Sequence, residues 1–377
     1  MDDKIIKNES GSLLVDYIES QPEVLQDGLL ADFVTDAESF FLGDKVYIDR
    51  ISADAGRAKA KAKNGKPDYL LPKGIIDVEF EAPKYSLSMP FNLDFGKNRR
   101  IIGSSATDEI NKQAQLLIMV KNNLRLMLNR AKRGAMKQAA DLYQYGKVKF
   151  SEDDKTLDDA DFGFDAALFA SPVNAQRWVN KDGTVNEKAD PISDIQNRIN
   201  LINEKSCVSQ FDVIFDGTAL KGFIGNPTVK TFADKNGINL SNFEFQERKP
   251  NGLAKVGSYF FGGDKVDIYT FSGSFTDDDG KAKKYLDDGR VIVKARYGSG
   301  GKYKVYFAGI EKTGTLPDEL KNIVPNGELT IFGDNKAVDV YFYTKEEDDG
   351  VQLKMVSRPV VAAVSVNTHG AFLVKAE

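Results

Sequence analysis

One helical pattern, over residues 107–145, constrains the fold of this chain more than any other feature. Thr107 is a good N-cap, and Asp108 and Glu109 place acidic side chains in the first turn. Apolar residues then recur at spacings of three and four, at Ile110, Ala114, Leu117, Ile118, Leu124, Met127, Leu128, Ala131, Ala135, Ala139 and Leu142. The other faces carry basic residues, at Lys112, Lys121, Arg125, Arg130, Lys132, Arg133 and Lys137.

This predicted helix would be about 55 Å long at 1.5 Å per residue, several times the usual helix length. A coiled coil is the competing interpretation. The apolar stripe drifts from strict heptads, however, and the sequence offers no second helix of matching length. We therefore expect a single long helix that ends at Gly146 and supports a mixed fold.

A period-two pattern precedes the helix. Residues 45–51 and 77–81 predict two strands, and the segment 55–67 between them is basic, with little to bury. Apolar residues then alternate strictly with polar ones, at Tyr85, Leu87, Met89, Phe91, Leu93 and Phe95. Pro90 places this stretch at an edge or a bend. Residues 45–100 are therefore predicted to form an extended β-ribbon loop. Such a ribbon is marginal alone, so we expect a neighbouring subunit to cover it.

The rest of the chain reads as an arm and a mixed α/β region. Residues 1–44 contain only a few anchoring side chains, which is typical of an N-terminal arm. A helix is predicted from Pro191 to before Cys207, and a buried strand at 211–216 is followed by a short helix. Asn367–Gly370, which contains His369, predicts a turn. Further strands are predicted at 266–271, 290–295, 303–309, 329–332, 338–343, 353–356 and 360–366.

Composition removes several classes of function. The chain has one histidine, His369, and one cysteine, Cys207, so a zinc cluster or a histidine-based catalytic group would be hard to build. The single cysteine rules out an intrachain disulfide and fits a reducing cytoplasm. The net charge of −5 argues against a chain whose main task is wrapping nucleic acid. No apolar run approaches the ~20 residues of a membrane-spanning helix. We therefore expect no cofactor, no metal and no membrane partner.

Four stretches of the chain occur in an order that has a precedent. They are Lys45–Ile48, Phe211–Asp216, the pair Ile268–Phe275 and Lys284–Val293, and the pair Met355–Val361 and Phe372–Val374. In order and spacing they resemble the lambda-like major head protein family of tailed bacteriophages, whose fold encapsulin shells share. The resemblance covers nearly the whole chain, although Leu286-Asp287 lacks the proline that the family carries there.

This resemblance implies an α+β fold with an N-terminal arm (1–44), an extended loop (45–100), a peripheral domain (101–190) with the long spine helix, an axial domain (191–350) and closing strands (351–377). It implies a structural protein and not an enzyme. Copies would assemble into the hexamers and pentamers of an icosahedral shell around double-stranded DNA. Assembly would take place in the cytoplasm of a bacterial host, and the protein would end in the virion. The implied partners are other copies of the chain, a scaffold, a portal and, commonly in this family, a decoration protein, together with the packaged double-stranded DNA, which would be contacted without sequence specificity.

The extended loop carries the candidate contacts between subunits, at Arg57, Lys59, Lys61, Lys63, Lys66, Tyr85, Leu87, Met89 and Phe91. The basic residues could attract phosphate, but no aromatic residue is interleaved among them to stack on bases. Solvent or a neighbour's acidic surface is therefore the favoured environment for them. Two alternatives stay open. One is a soluble carboxylate-dependent enzyme or carbohydrate-binding protein, and the other is an encapsulin-type compartment shell.

Overall fold

The computed structural model describes residues 28–50, 76–91, 109–150, 159–235, 253–261, 264–277, 279–296, 298, 302–309, 339–345 and 350–377. Its helices are α1 (Glu109–Tyr145), α2 (Pro191–Ser206), α3 (Gly217–Gly225) and α4 (Pro227–Lys235). Its strands are β1 (Phe33–Val34), β2 (Lys45–Arg50), β3 (Ile76–Glu81), β4 (Tyr85–Phe91), β5 (Lys147–Val148), β6 (Ala160–Asp161), β7 (Phe211–Phe215), β8 (Leu253–Phe261), β9 (Asp264–Phe271), β10 (Ser274–Thr276), β11 (Ala282–Lys284), β12 (Arg290–Ala295), β13 (Tyr303–Phe307), β14 (Asp339–Lys345), β15 (Gly350–Ser357), β16 (Pro359–Ala363) and β17 (His369–Leu373). The α+β class predicted from the sequence is confirmed.

The 37-residue helix α1 confirms the long spine helix. Its final turns, however, are buried on every side and not along one stripe, because Gln138, Asp141 and Gln144 are as buried as the apolar residues between them. Gln138 accepts a hydrogen bond from the Val361 amide and donates one to the Pro359 carbonyl. Each polar side chain at such a position must find a partner, because an unpaired buried amide is costly.

A five-stranded sheet, in the order β17-β12-β7-β9-β8, forms the middle layer. Only β7 and β9 run parallel; the other neighbours are antiparallel. Ile214 of β7 faces the core that contains α1, whereas Val213 and Phe215 face a second core under α2 and α3. Burial on both faces explains why the sequence of β7 is an uninterrupted apolar run apart from Asp212.

The three-stranded sheet β1-β13-β16 lies against α1 and closes the first core. Phe33 of β1 packs its ring against Tyr143 and Tyr303, with centroids 5.6 and 5.3 Å apart. His369, which was predicted to lie in a turn, instead begins β17 and is 0 % exposed. The turn itself occupies residues 366–368, where Asn367 has a positive φ of 63°.

The alternating strand β4 is confirmed, and its partner is a finding that the sequence did not supply. β4 pairs with β15 and forms the edge of the sheet β14-β15-β4, which agrees with the prediction from Pro90. Strand β8 was not predicted at all. Several predictions lie outside the described residues: the arm before Gly28, the loop tip, the cap at Thr107 and the strand at 329–332. Among the described residues, no helix is both long enough and apolar enough to span a bilayer.

Gly134 allows the ring of Tyr85 to lie directly against α1. A Cβ atom at position 134 would lie 2.7 Å from Cζ of Tyr85, whose hydroxyl accepts a hydrogen bond from Gln138 at 2.9 Å. At a solvent-exposed position inside a helix, replacing glycine with alanine stabilises the protein by about 1 kcal/mol. Here we expect Gly134→Ala to lower the free energy of unfolding by about 1–2 kcal/mol, because the ring must move.

The same substitution made in a Tyr85→Val background removes the clash. We expect Gly134→Ala to be stabilising there, by about 1 kcal/mol. Urea denaturation of the wild type, the two single variants and the double variant measures this change of sign. The same sign in both backgrounds would contradict the contact between Tyr85 and α1.

Candidate functional site

The base of the extended ribbon is the best defined candidate site for assembly. β2 and β3 pair in antiparallel register from Lys45↔Glu81 to Arg50↔Ile76. Val46 and Ile48 are fully buried, and the Phe80 ring lies 5.2 Å from that of Phe162. The sequence predicted that this ribbon would need cover from a neighbouring subunit. That expectation is wrong for its base, because the chain's own core covers the inner face.

The outer face of the ribbon base is exposed and charged. Lys45 forms an ion pair with Glu79, and this contact raises the pKa of the Lys45 ammonium. Tyr47, whose backbone pairs with that of Glu79, is 54 % exposed, and nearby Leu42 is 92 % exposed. Exposed large side chains beside a charged pair are typical of protein contact surfaces.

Arg358 fixes the orientation in which the ribbon leaves the body. This residue occupies the corner between β15 and β16, where the chain passes from one sheet to another. Its guanidinium is buried and donates to the Asp44 carboxylate, to the Gly309 carbonyl at 3.0 Å and to the Ala82 carbonyl at 3.1 Å. Asp44 precedes β2 and Ala82 follows β3. One side chain therefore holds both strands of the ribbon base where they join the body, a geometry for which the five-donor guanidinium is suited.

The same corner requires a glycine at position 309. The Gly309 amide donates to the Gly43 carbonyl at 2.9 Å, and a Cβ atom on Gly309 would lie only 2.1 Å from the Leu42 carbonyl oxygen. Because that atom belongs to the backbone, a larger residue could fit only if the segment leading into the ribbon moved.

The segment 28–41 is anchored to the body by ion pairs. Lys294 lies 2.5 Å from Asp32 and 3.5 Å from Asp212, and its side chain is only 4 % exposed. Lys304 lies 2.7 Å from Asp36, and its hydrogen bond holds the pKa of the Asp36 carboxyl below its usual value. Sequence reasoning missed these anchors. A lysine inside the apolar run of β12 was the available signal, since a buried lysine needs a partner.

The predicted contact residues have two different outcomes. Tyr85, Leu87 and Met89 are half-buried in β4, where Leu87 pairs with Met355 and Met89 with Leu353. Phe91 pairs through its backbone with Val351. The basic residues of the loop tip, Arg57, Lys59, Lys61, Lys63 and Lys66, lie outside the described residues. A role of any of these residues in contacts between subunits stays a prediction.

Metal binding finds no support in the part of the chain that the structure describes. No group of three or more His, Cys, Asp or Glu side chains there is placed to hold an ion. The one histidine is enclosed by aromatic rings: its Nε2 donates to the Leu142 carbonyl at 2.9 Å, and its Nδ1 lies 3.1 Å from the Tyr303 hydroxyl. Burial lowers the pKa of His369 to about 4, so the ring is neutral at pH 7.

The chain is similar in fold to one solved capsid protein, and two further solved structures superpose with lower scores. A prophage protein from E. coli CFT073 that is assigned as a capsid protein superposes with a TM-score of 0.54 at 12 % identity, over 79 % of each chain. A phage-related protein from Bordetella bronchiseptica RB50 gives a TM-score of 0.46 at 9 % identity, over 89 % of this chain and 88 % of that one. A virus-like particle from Pyrococcus furiosus gives 0.36 at 11 % identity, over 97 % and 98 %.

No curated protein matches the chain in sequence. Residues 12–367, however, match the family described as phage major capsid protein E, which is nearly the whole chain. The superposition on the prophage protein shows the same fold independently. The chain belongs to the phage major capsid protein E family and is a structural subunit of a capsid, not an enzyme.

Proposed function

We propose that copies of this chain form the hexamers and pentamers of an icosahedral shell around double-stranded DNA. The proposed partners are a scaffold, a portal and a decoration protein, and the proposed place of assembly is the cytoplasm of a bacterial host. The extended loop, residues 45–100, contacts the neighbouring subunit. Family membership leaves the carboxylate-dependent enzyme or carbohydrate-binding protein without support, and it favours a virus capsid over an encapsulin-type compartment.

The observation that carries this proposal is the ribbon base. Arg50 and Ile76 face each other at the end of the described ladder, and residues 51–75 connect them. Hairpin loops ordinarily have about two to five residues. A much longer and basic connection, on a base held from both ends by Arg358, supports a loop that reaches beyond its own subunit.

The domain organisation supports the same scheme. The proposed axial domain, 191–350, contributes β7, β8, β9 and β12 to the five-stranded sheet. β17, from the closing strands 351–377, completes that sheet at its edge. The proposed peripheral domain, 101–190, contains α1 and the small β5–β6 hairpin.

Deleting residues 55–67 tests the proposal. The described base of the ribbon is left unchanged, so we expect the variant to fold with the stability of the wild type but to form no shells. Negative-stain microscopy and sedimentation velocity measure assembly, and urea denaturation measures folding. The matched control replaces Arg57, Lys59, Lys61, Lys63 and Lys66 with glutamine, which keeps the length of the loop and removes its charge.

Two results would contradict the proposal. One is a wild-type protein that remains a 41.7 kDa monomer at all concentrations, with the predicted scaffold present or absent. The other is a deletion variant that forms shells in the same yield as the wild type.

A further inference from the structure

The exposed side of α1 is a basic surface on a mildly acidic protein. Between residues 110 and 140 the sequence has no aspartate or glutamate, whereas the whole chain carries a net charge of −5. The basic residues in this stretch are Lys112, Lys121, Arg125, Arg130, Lys132, Arg133 and Lys137. This separation of charge within one element is the electrostatic pattern of a surface that meets a polyanion.

Three of these cations are free to bind a partner. Arg125, Arg130 and Arg133 are exposed, and in the described part of the chain no ion pair neutralises them. Lys137, in contrast, forms an ion pair with Asp141 at 2.8 Å, and Lys132 is buried. The three arginines therefore form a positive stripe along the exposed side of the helix.

The remaining residues on this side favour a nucleic acid over a protein as the partner. Asn122 is exposed and Asn129 half-exposed, and the described residues there include a single large exposed apolar side chain, Leu126, at 56 %. Protein interfaces need an apolar centre and good packing over about 1,000 Å². Arginine and asparagine, in contrast, are common donors to phosphate and sugar oxygens.

The spacing of the arginines suits a phosphate backbone. Arg125 and Arg133 are eight residues apart, which is about 12 Å along a helix. Duplex DNA carries one charge per ~1.7 Å, so about seven phosphates lie over that length. Each guanidinium can reach one of them without reading a base.

We propose that this stripe, defined by Arg125, Arg130 and Arg133, binds the phosphate backbone of the double-stranded nucleic acid inside the shell, without sequence specificity. The inference rests on the proposed function, because it requires that the shell enclose DNA. The chain as a whole carries a net charge of −5, so the stripe is a local region of positive charge on a mildly acidic protein. Contacts that are weak for one subunit add up over many copies.

Binding of a fluorescent 20-base-pair duplex to the unassembled full-length chain, followed by anisotropy between 50 and 200 mM salt, tests this inference. The variant Arg125→Gln/Arg130→Gln/Arg133→Gln should reduce the slope of log affinity against log salt by about 3, at about 0.9 per phosphate contact. The wild-type affinity should then fall about fortyfold more than that of the variant over this range. Replacing the same three residues with lysine should preserve the slope.

The matched control neutralises three exposed lysines elsewhere, Lys181→Gln, Lys188→Gln and Lys230→Gln, and should leave the slope unchanged. An equal loss in both triple variants, or no loss in the arginine variant, would overturn the inference. Tighter binding to poly-glutamate than to DNA would also overturn it, and would assign the stripe to an acidic protein. Negative-stain microscopy of the wild type and the arginine variant under assembly conditions separates the two proposals. Shells with an unchanged slope contradict only the stripe, whereas the absence of shells from the wild type contradicts the proposed function.

Discussion

Arg358→Met is expected to lower the free energy of unfolding by about 3–4 kcal/mol and to abolish shell formation. Methionine fills much of the same volume but donates nothing, so the buried Ala82 carbonyl and the half-buried Gly309 carbonyl lose their partner. The ion pair itself contributes less, because the Asp44 side chain is 61 % exposed and water can solvate it. Chemical denaturation measures the stability, and negative-stain microscopy measures assembly.

Three variants distinguish the hydrogen bonds from the charge. Asp44→Asn should cost less than about 1 kcal/mol, because it removes only the exposed half of the ion pair. Arg358→Lys keeps the charge but has a single nitrogen, so it should recover less than half of the lost stability. Arg130→Met replaces an exposed arginine and should change stability by no more than about 0.5 kcal/mol. If Arg358→Lys were as stable as the wild type, charge alone would hold the ribbon.

The corner at Arg358 matters for the proposed assembly because it sets the orientation of the ribbon base. The described ladder of the ribbon base ends at the pair Arg50 and Ile76, and Arg358 binds the chain just before β2 and just after β3. A small rotation at the base becomes a large displacement at a distance from it. If the loop contacts a neighbouring subunit, as we propose, its placement depends on a rigid base.

Elements with a local pattern were predictable from the sequence. Helix α1 carries helical periodicity over its whole length, α2 begins with an aspartate cap and Pro191, and β7 is a short apolar run. In each case the residues that specify the element lie within it. The order of these elements along the chain was enough to suggest the family.

Pairings between distant segments could not be predicted in this way. Nothing local to Tyr85 specifies that β4 pairs with β15 near the other end of the chain. Gln144, similarly, accepts from the Asp287 amide and donates to the Tyr285 carbonyl, so a residue that looks solvent-facing in the sequence is buried. Arg358 is the clearest case in the candidate site, because its partners come from three separate segments. Its position within an apolar run was the only signal.

Acidification from pH 6.5 towards pH 4 is expected to cost about 3 kcal/mol of stability through His369 alone. In the folded chain, burial and the nearby Lys294 ammonium lower the pKa of the imidazole from 6.5 to about 4. The unfolded chain therefore binds the proton first. The stabilising contribution is complete above pH 6.5 and is lost progressively as the pH falls to 4. The ring ties β17 to the last turns of α1 through the Leu142 carbonyl, so assembled shells should loosen in the same range.

Because His369 is the only histidine, the variant His369→Gln isolates this effect. The variant keeps a donor for the Leu142 carbonyl but has no proton to gain, so the slope of stability against pH should vanish between pH 6.5 and 4.5. The pKa values of the Asp36 and Asp267 carboxyls are lowered from 3.8, so protonation of these groups reduces stability only at lower pH. Burial raises the pKa of Asp194 above 3.8, so protonation of this carboxyl stabilises the folded chain as the pH falls. Its effect is therefore opposite to the loss of stability expected from His369. Urea denaturation at half-unit steps of pH measures both proteins. A wild-type stability that stays flat down to pH 4.5, or an equal slope in the variant, would show that the buried ring is not the group that titrates.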